Sequence, residues 1–279
     1  MTVDGFAPAY AVELLCTQRP FIRKRALLDA LRRRCPDVAP IDSDPDSDLL
    51  SFVHRDHLLF ISDIEVPAQT FIATTDKRVS PREYDAALQQ SWKFAEAREA
   101  VGRCQTSVLV TDILSSSLPY DERIDIFQRA LLGVLEVIPC KAIHWQPSQQ
   151  IVSPDDFIRA AETSPAAMFF AGPLNVRFFN VSDSPGDMLM DTLGLAAIGL
   201  PDLQCHFRDL DPDDVARVLH NTAWYIFQEG DVIGDGHTVA GTTPGSKWHC
   251  QHEESLTEPK RVVLDLNPGP PHAAEARRS

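Results

Sequence analysis

Between Tyr10 and Ile113 the spacing of apolar residues switches repeatedly between two periods, and the order of those switches constrains the fold more than any single motif. Strand side chains alternate between two faces, whereas helical faces repeat every three or four residues. "YAVELLC" (Tyr10 to Cys16) predicts a strand, and "RPFIRKRALLDALRRRC" then places Leu27, Leu28 and Leu31 at helical spacing beneath a basic face. "LLSFVH" and "HLLFISDIEV" flank Arg55-Asp56 and predict a tight hairpin. "SPREYDAALQQSWKFAEAREAVGRC" opens with Ser80, Pro81 and Glu83 as a capping box, and its stripe Tyr84, Leu88, Trp92, Ala95 predicts one long helix. "TSVLVTDI" (Thr106 to Ile113) closes a β-α-β-β-α-β order, that of the split βαβ in ferredoxin-like domains.

A well-patterned helix follows at "YDERIDIFQRALLGVLEVI", after which the order is expected to run again from strand "AIHWQ" through helix "SPDDFIRAA" and strand "NVRFFNV". "MDTLGLAAIGL" and "LQCHFRDL" are expected to meet in a turn at Pro201-Asp202. Helix "DPDDVARVLHNTAWYIFQEG" is capped by Asp211, started by Pro212 and stopped by Gly230. The predicted class is α+β, with two ferredoxin-like units in tandem joined by a helix. Their expected bounds are 8–116 for the first unit, 117–140 for the connecting helix, 141–266 for the second unit and 267–279 for a disordered tail.

No apolar run approaches the roughly 18 residues of a membrane span, and "MTVDGFAPAYAVELLC" lacks a basic leader and a cleavage site, so a cytoplasmic protein is expected. Six widely spaced cysteines predict reduced, mostly buried thiols. The net charge of −14, with 10 basic against 19 acidic residues after Cys140, argues against nucleic-acid binding and suits a basic protein partner.

The stretch "GSKWHCQHEESL" raises the question of a metal. As a strand it sets Cys250 and His252 on one face, and Cys205, His206 and His237 are the candidates to complete a zinc site with them. Paired Cys-x-x-Cys or His-x-x-x-His spacing is absent, so a half-buried strand with a core thiol is the favoured reading and no cofactor is expected. His144, Trp145, Gln146, Gln149 and Gln150 mix an aromatic with several amides, a composition that suits a binding groove or satisfies a strand end. "GTTPGSK" has the wrong glycine spacing for a phosphate loop, and "HRD" at His54 to Asp56 lacks the other kinase signatures. The serines of "DILSSSLPYDE" lack a nucleophile elbow, and Asp155-Asp156 and Asp213-Asp214 complement helix dipoles.

Through "IGLPDLQCHF", "DPDDVARVL" and "GDVIGDGHTV", the segment Met190 to Val239 resembles a bacterial family catalogued as domain of unknown function 4261. The resemblance implies a bacterial cytoplasmic setting and brings no reaction, cofactor or catalytic residue. The leading expectation is a non-enzymatic protein-binding protein, an immunity or accessory factor in interbacterial competition whose partner is a basic toxin or secretion component. The alternatives are a metal-dependent hydrolase centred on the Cys/His residues and a small-ligand sensor using the amides around Trp145.

Overall fold

The alternation read from "YAVELLC" is the alternation of β1 (Ala11–Cys16), which lies buried inside a seven-stranded sheet. The computed structural model describes residues 9–41, 49–61, 64–75, 77–113, 115–182 and 184–274, an α+β chain with two sheets and seven α-helices among them. Two units divide between Gly172 and Pro173.

In the first unit, α1 (Lys24–Arg34), β2 (Val38–Pro40), β3 (Leu49–Ile61), β4 (Ile64–Thr74), α2 (Asp85–Gln89), α3 (Ala97–Gly102) and β5 (Thr106–Ile113) follow β1. Next come α4 (Tyr120–Leu135), β6 (Ala142–Trp145), β7 (Gln150–Val152), α5 (Pro154–Thr163) and α6 (Pro165–Phe170). The sheet order is β2-β3-β4-β5-β1-β6-β7, with every neighbour antiparallel. Tyr10 meets Phe127 of α4 edge-on at 5.0 Å, and Trp145 packs beside both. Leu15 instead joins Tyr84, Ala87, Ala97 and Val101, so helical segments cover both faces of the sheet. Gly133 allows α4 to close on α1, since a Cβ there would lie 3.1 Å from the Leu31 backbone. The buried guanidinium of Arg123 grips Asp112 through two hydrogen bonds, while Asp112 also accepts the Tyr10 N–H at 2.6 Å. That bidentate pair fixes α4 to β5 and β1.

Several expectations are corrected here. "AIHWQ", expected to open the second unit, is β6, paired with β1 in the first sheet. β4 pairs with β3 and β5, and β1 pairs with β5 and β6. β3 runs through Arg55-Asp56, which sit at a register shift between His54 and Leu58 rather than in a hairpin turn. The long helix expected from Ser80 is broken into a 3₁₀ turn at Pro81–Tyr84, α2 and α3, and Ser80 makes no side-chain cap. Tertiary bonding overrides the periodicity: Ser91 gives its hydroxyl to the Ala87 carbonyl and accepts the Ile151 N–H of edge strand β7, and Trp92 is left 63 % exposed. The basic helix face pairs in part within the unit, Arg33 and Arg34 both reaching Glu136. The acidic link at 42–48, its suggested alternative partner, lies outside the described residues.

The second unit contains β8 (Asn175–Asn180), β9 (Asp187–Leu193), β10 (Asp202–Arg208), α7 (Pro212–Glu229), β11 (Thr238–Ala240), β12 (Lys247–Glu254) and β13 (Val262–Asn267). Their order is β11-β12-β13-β10-β9-β8, in which β13 lies parallel to β10 and the other pairs are antiparallel. α7 begins as its sequence predicts, the Asp211 carboxylate accepting the Asp213 N–H at 2.9 Å. The expected tight turn at Pro201-Asp202 is a longer connection from Gly194 to Pro201, because Asp202 faces inward to accept N–H groups from Leu195 and Ala196. Residues 268–274, expected to be tail, return alongside β10: Ala273 bridges Phe207, and the His272 carbonyl accepts the Arg208 N–H at 2.9 Å.

A buried ion network ties the segment between β12 and β13 to β8, β9 and β10. Arg261, with 0 % side-chain exposure, donates to Asp191 at 2.9 Å, Asp202 at 3.0 Å and the carbonyls of Thr192 and Pro259. Arg177 forks onto Asp191 and reaches the Glu258 carbonyl, and Thr257 donates to the same Asp191 carboxylate. Two guanidinium groups thus meet two carboxylates, with backbone carbonyls taking the remaining donors. Arg261→Met would leave Asp191 and Asp202 short of a counter-charge, and urea unfolding should show a loss of about 3–5 kcal/mol.

Candidate functional site

Strand β12 presents its side chains as the sequence predicts, Trp248 and Cys250 buried while His249, Gln251 and Glu253 are exposed. Cys205 and Cys250 are core thiols, and burial pushes both pKa values up, Cys205 well above the ordinary thiol range. His206 takes the opposite face of β10 from Cys205, with neither ring nitrogen partnered and its pKa lowered by burial. His252 turns to the loop after α7: the Asp235 carboxylate lies 2.8 Å from its Nδ1 and accepts its backbone N–H at 2.7 Å, and Asp231 lies 3.5 Å from Nε2. These two bonds hold the Asp235 carboxyl below its usual pKa. His237 accepts the Gly234 N–H through Nδ1. Among the described residues no three His, Cys, Asp or Glu side chains gather where a metal ion would sit, so the five residues of the alternative zinc reading are not brought together. Alternation parts Cys205 from His206, and Asp235 holds the His252 ring.

The same alternation splits the amide cluster of the first unit. Trp145 is fully buried against Tyr10, Phe127 and Phe157, and its Nε1 has no partner. His144 points the other way, its Nδ1 3.0 Å from Glu13, and Tyr84 donates to the same carboxylate at 3.3 Å. Burial opposes ionisation of Glu13, but the bonds and charge of His144 and the bonds from Tyr84 and Gln146 outweigh it, lowering its pKa. Gln146 and Gln149 form the β6–β7 turn, with Gln149 at a φ of 48°. Gln150, 6 % exposed, has an unpartnered Oε1 and lines a cavity of about 400 Å³.

A larger opportunity lies at an edge of the second sheet. α7 and β11 enclose a groove of about 410 Å³ lined by Val218, Thr222, Tyr225, Val232 and Val239 among others. β11 ends the sheet among the described residues. Toward β12, the His237 carbonyl accepts the Cys250 N–H and the Gly241 N–H reaches the Ser246 carbonyl. Because neighbouring residues of an antiparallel strand bond to opposite sides, the peptide groups of Thr238 and Ala240 face outward. Tyr225, 49 % exposed, and Val232, 50 % exposed, form the apolar flanks. Sequence reasoning missed this groove, although Tyr225 stands off the buried α7 stripe of Val215, Val218, Leu219, Thr222, Ala223 and Ile226. That displaced ring was the available signal.

On the sheet itself, Gln204 of β10 spans two acids, donating to Glu253 at 2.9 Å and Asp265 at 3.4 Å while its carbonyl accepts the Leu256 N–H. Burial, then the charge of Glu253, raises the Asp265 pKa to about 7, against the pull of the Gln204 bond. The Glu253 pKa is raised too, chiefly by burial. A proton at this pair adjusts the charge beneath the segment that leads to Arg261.

Residues 191–267, which contain the groove and most of the buried ion network, match the model of a family described as domain of unknown function (DUF4261). No curated protein and no solved structure matches the chain. No α-helix among the described residues is long and apolar enough to cross a membrane.

The acid pair sets a pH dependence with a definite sign. A carboxyl whose folded pKa is raised makes the fold bind protons more tightly than the unfolded chain, so stability falls as pH rises between about 4 and about 7. Asp265→Asn should therefore raise the melting temperature at pH above the folded value and leave it nearly unchanged at pH below the unfolded value, as read by calorimetry.

Proposed function

We propose that the chain is a non-enzymatic protein-binding protein whose second unit takes an extended segment of its partner as an added strand beside β11. The supporting observation is the groove between α7 and that strand, where the outward peptide groups of Thr238 and Ala240 stand next to the exposed flanks Tyr225 and Val232. Strand addition supplies affinity through main-chain hydrogen bonds, and alternate side chains of the guest enter the pocket. Tyr225 gives the apolar anchor, a residue type common at interface centres.

Charge selects the guest. Glu229, Asp231 and Asp235 lie on the segment bordering the groove, and the whole chain carries −14, so the partner in this reading is basic, with Lys or Arg flanking an apolar strand. A basic toxin or secretion component bound by an immunity or accessory factor is the setting proposed for such a pair. Cytoplasmic action accompanies that setting.

Ala240→Pro separates binding from folding. Its N–H faces away from β12, so proline removes a docking donor without breaking a ladder bond, a position where sheets tolerate it. Screening a random peptide library against the purified chain should enrich alternating apolar and basic sequences. Ala240→Pro and Tyr225→Ser should each weaken their binding by about tenfold or more, with an unchanged melting temperature for the proline variant. No enrichment, or binding by both variants as tight as by the parent chain, defeats this reading.

A further inference from the structure

The first unit holds a cavity of a different kind. It lies beside edge strand β7, between the Ser91–Phe94 segment and helices α5 and α6, and measures about 400 Å³, within the range of small-molecule sites. The Ser91 hydroxyl accepts the Ile151 N–H at 2.8 Å and so occupies the outward edge of β7, which disfavours an added strand here. What remains is a pocket for a compact molecule.

Two groups in its wall lack partners. Gln150 is 6 % exposed and its Oε1 accepts no hydrogen bond; a buried acceptor in that state is unfavourable by about 1–3 kcal/mol, which a bound donor relieves. Lys93, an exposed side chain at the cavity, makes no ion pair among the described residues and brings an ammonium group within reach of an anion held there. Phe94 and Phe170 face the same space with the small side chains of Ala160 and Ala167. The wall therefore offers the free acceptor of Gln150, the Lys93 cation and an apolar slot, while the one carboxylate that also lines it, Asp156, is paired with Arg159.

We infer that this cavity binds a small apolar carboxylate carrying an N–H or O–H donor. The donor bonds to Gln150 Oε1, the carboxylate meets the Lys93 ammonium, and the apolar body lies between Phe94 and Phe170. This site is separate from the β11 groove and stands or falls without it.

The test titrates the isotope-labelled full chain with para-hydroxyphenylacetate, indole-3-acetate and N-acetylleucine, each of which has a carboxylate, a donor and an apolar body. Saturable amide shifts confined to Ser91–Phe94, Gln150–Ser153 and Ala167–Ala171 are expected at millimolar concentration for at least one of them. Gln150→Leu and Lys93→Met should each weaken that binding by about fivefold to tenfold, with the rest of the spectrum unmoved as the check on folding. No saturable shift from any of the three compounds, or an affinity in both variants unchanged from that of the parent chain, overturns the inference.

Discussion

The second unit is organised by two guanidinium groups taken out of water. Arg261 and Arg177 share Asp191, and Arg261 also holds Asp202, so the chain between β12 and β13 is drawn onto β8, β9 and β10. Desolvated ion pairs of this kind are seldom more stable than well-packed apolar residues of equal volume. Their effect is directional: bidentate geometry admits one path for Ser255 to Arg261 and thereby one register for β13 against β10. β12 follows from β13, β11 from β12, and the edge beside α7 from β11.

The first unit uses a smaller version of the same device. Asp112 sits between the Arg123 fork and the Tyr10 N–H, joining a helix to two strands. In both units a buried arginine decides which apolar layers meet. The layers themselves carry no such information, since Leu15 or Leu203 would pack against many surfaces equally well.

Local periodicity made the elements legible more readily than their arrangement. The capped start of α7, the stripe of α4 and the alternation of β12 were readable because each depends on neighbours within a few residues. The long helix predicted from Ser80 was not, because Ser91 is recruited by Ile151, sixty positions away. Strand order failed for the same reason: nothing near "AIHWQ" says that it pairs with β1. Of the residues singled out in the sequence, Gln150 alone lines a described cavity with an unpartnered side-chain atom, whereas Cys205 and Cys250 are core thiols and His252 is engaged by Asp235. The docking edge of the groove was hidden because it consists of backbone groups, which every sequence has, and Tyr225 was its one side-chain signal.

The two sheet margins described above differ in one respect with a bearing on how the chain behaves when crowded. β7 has its outward N–H at Ile151 occupied by the Ser91 hydroxyl, while β11 presents its peptide groups over only three residues. So brief a template can hold one guest but offers scant length for stacking copies of itself into fibres. Recognition through a margin this short is compatible with remaining dispersed at high concentration.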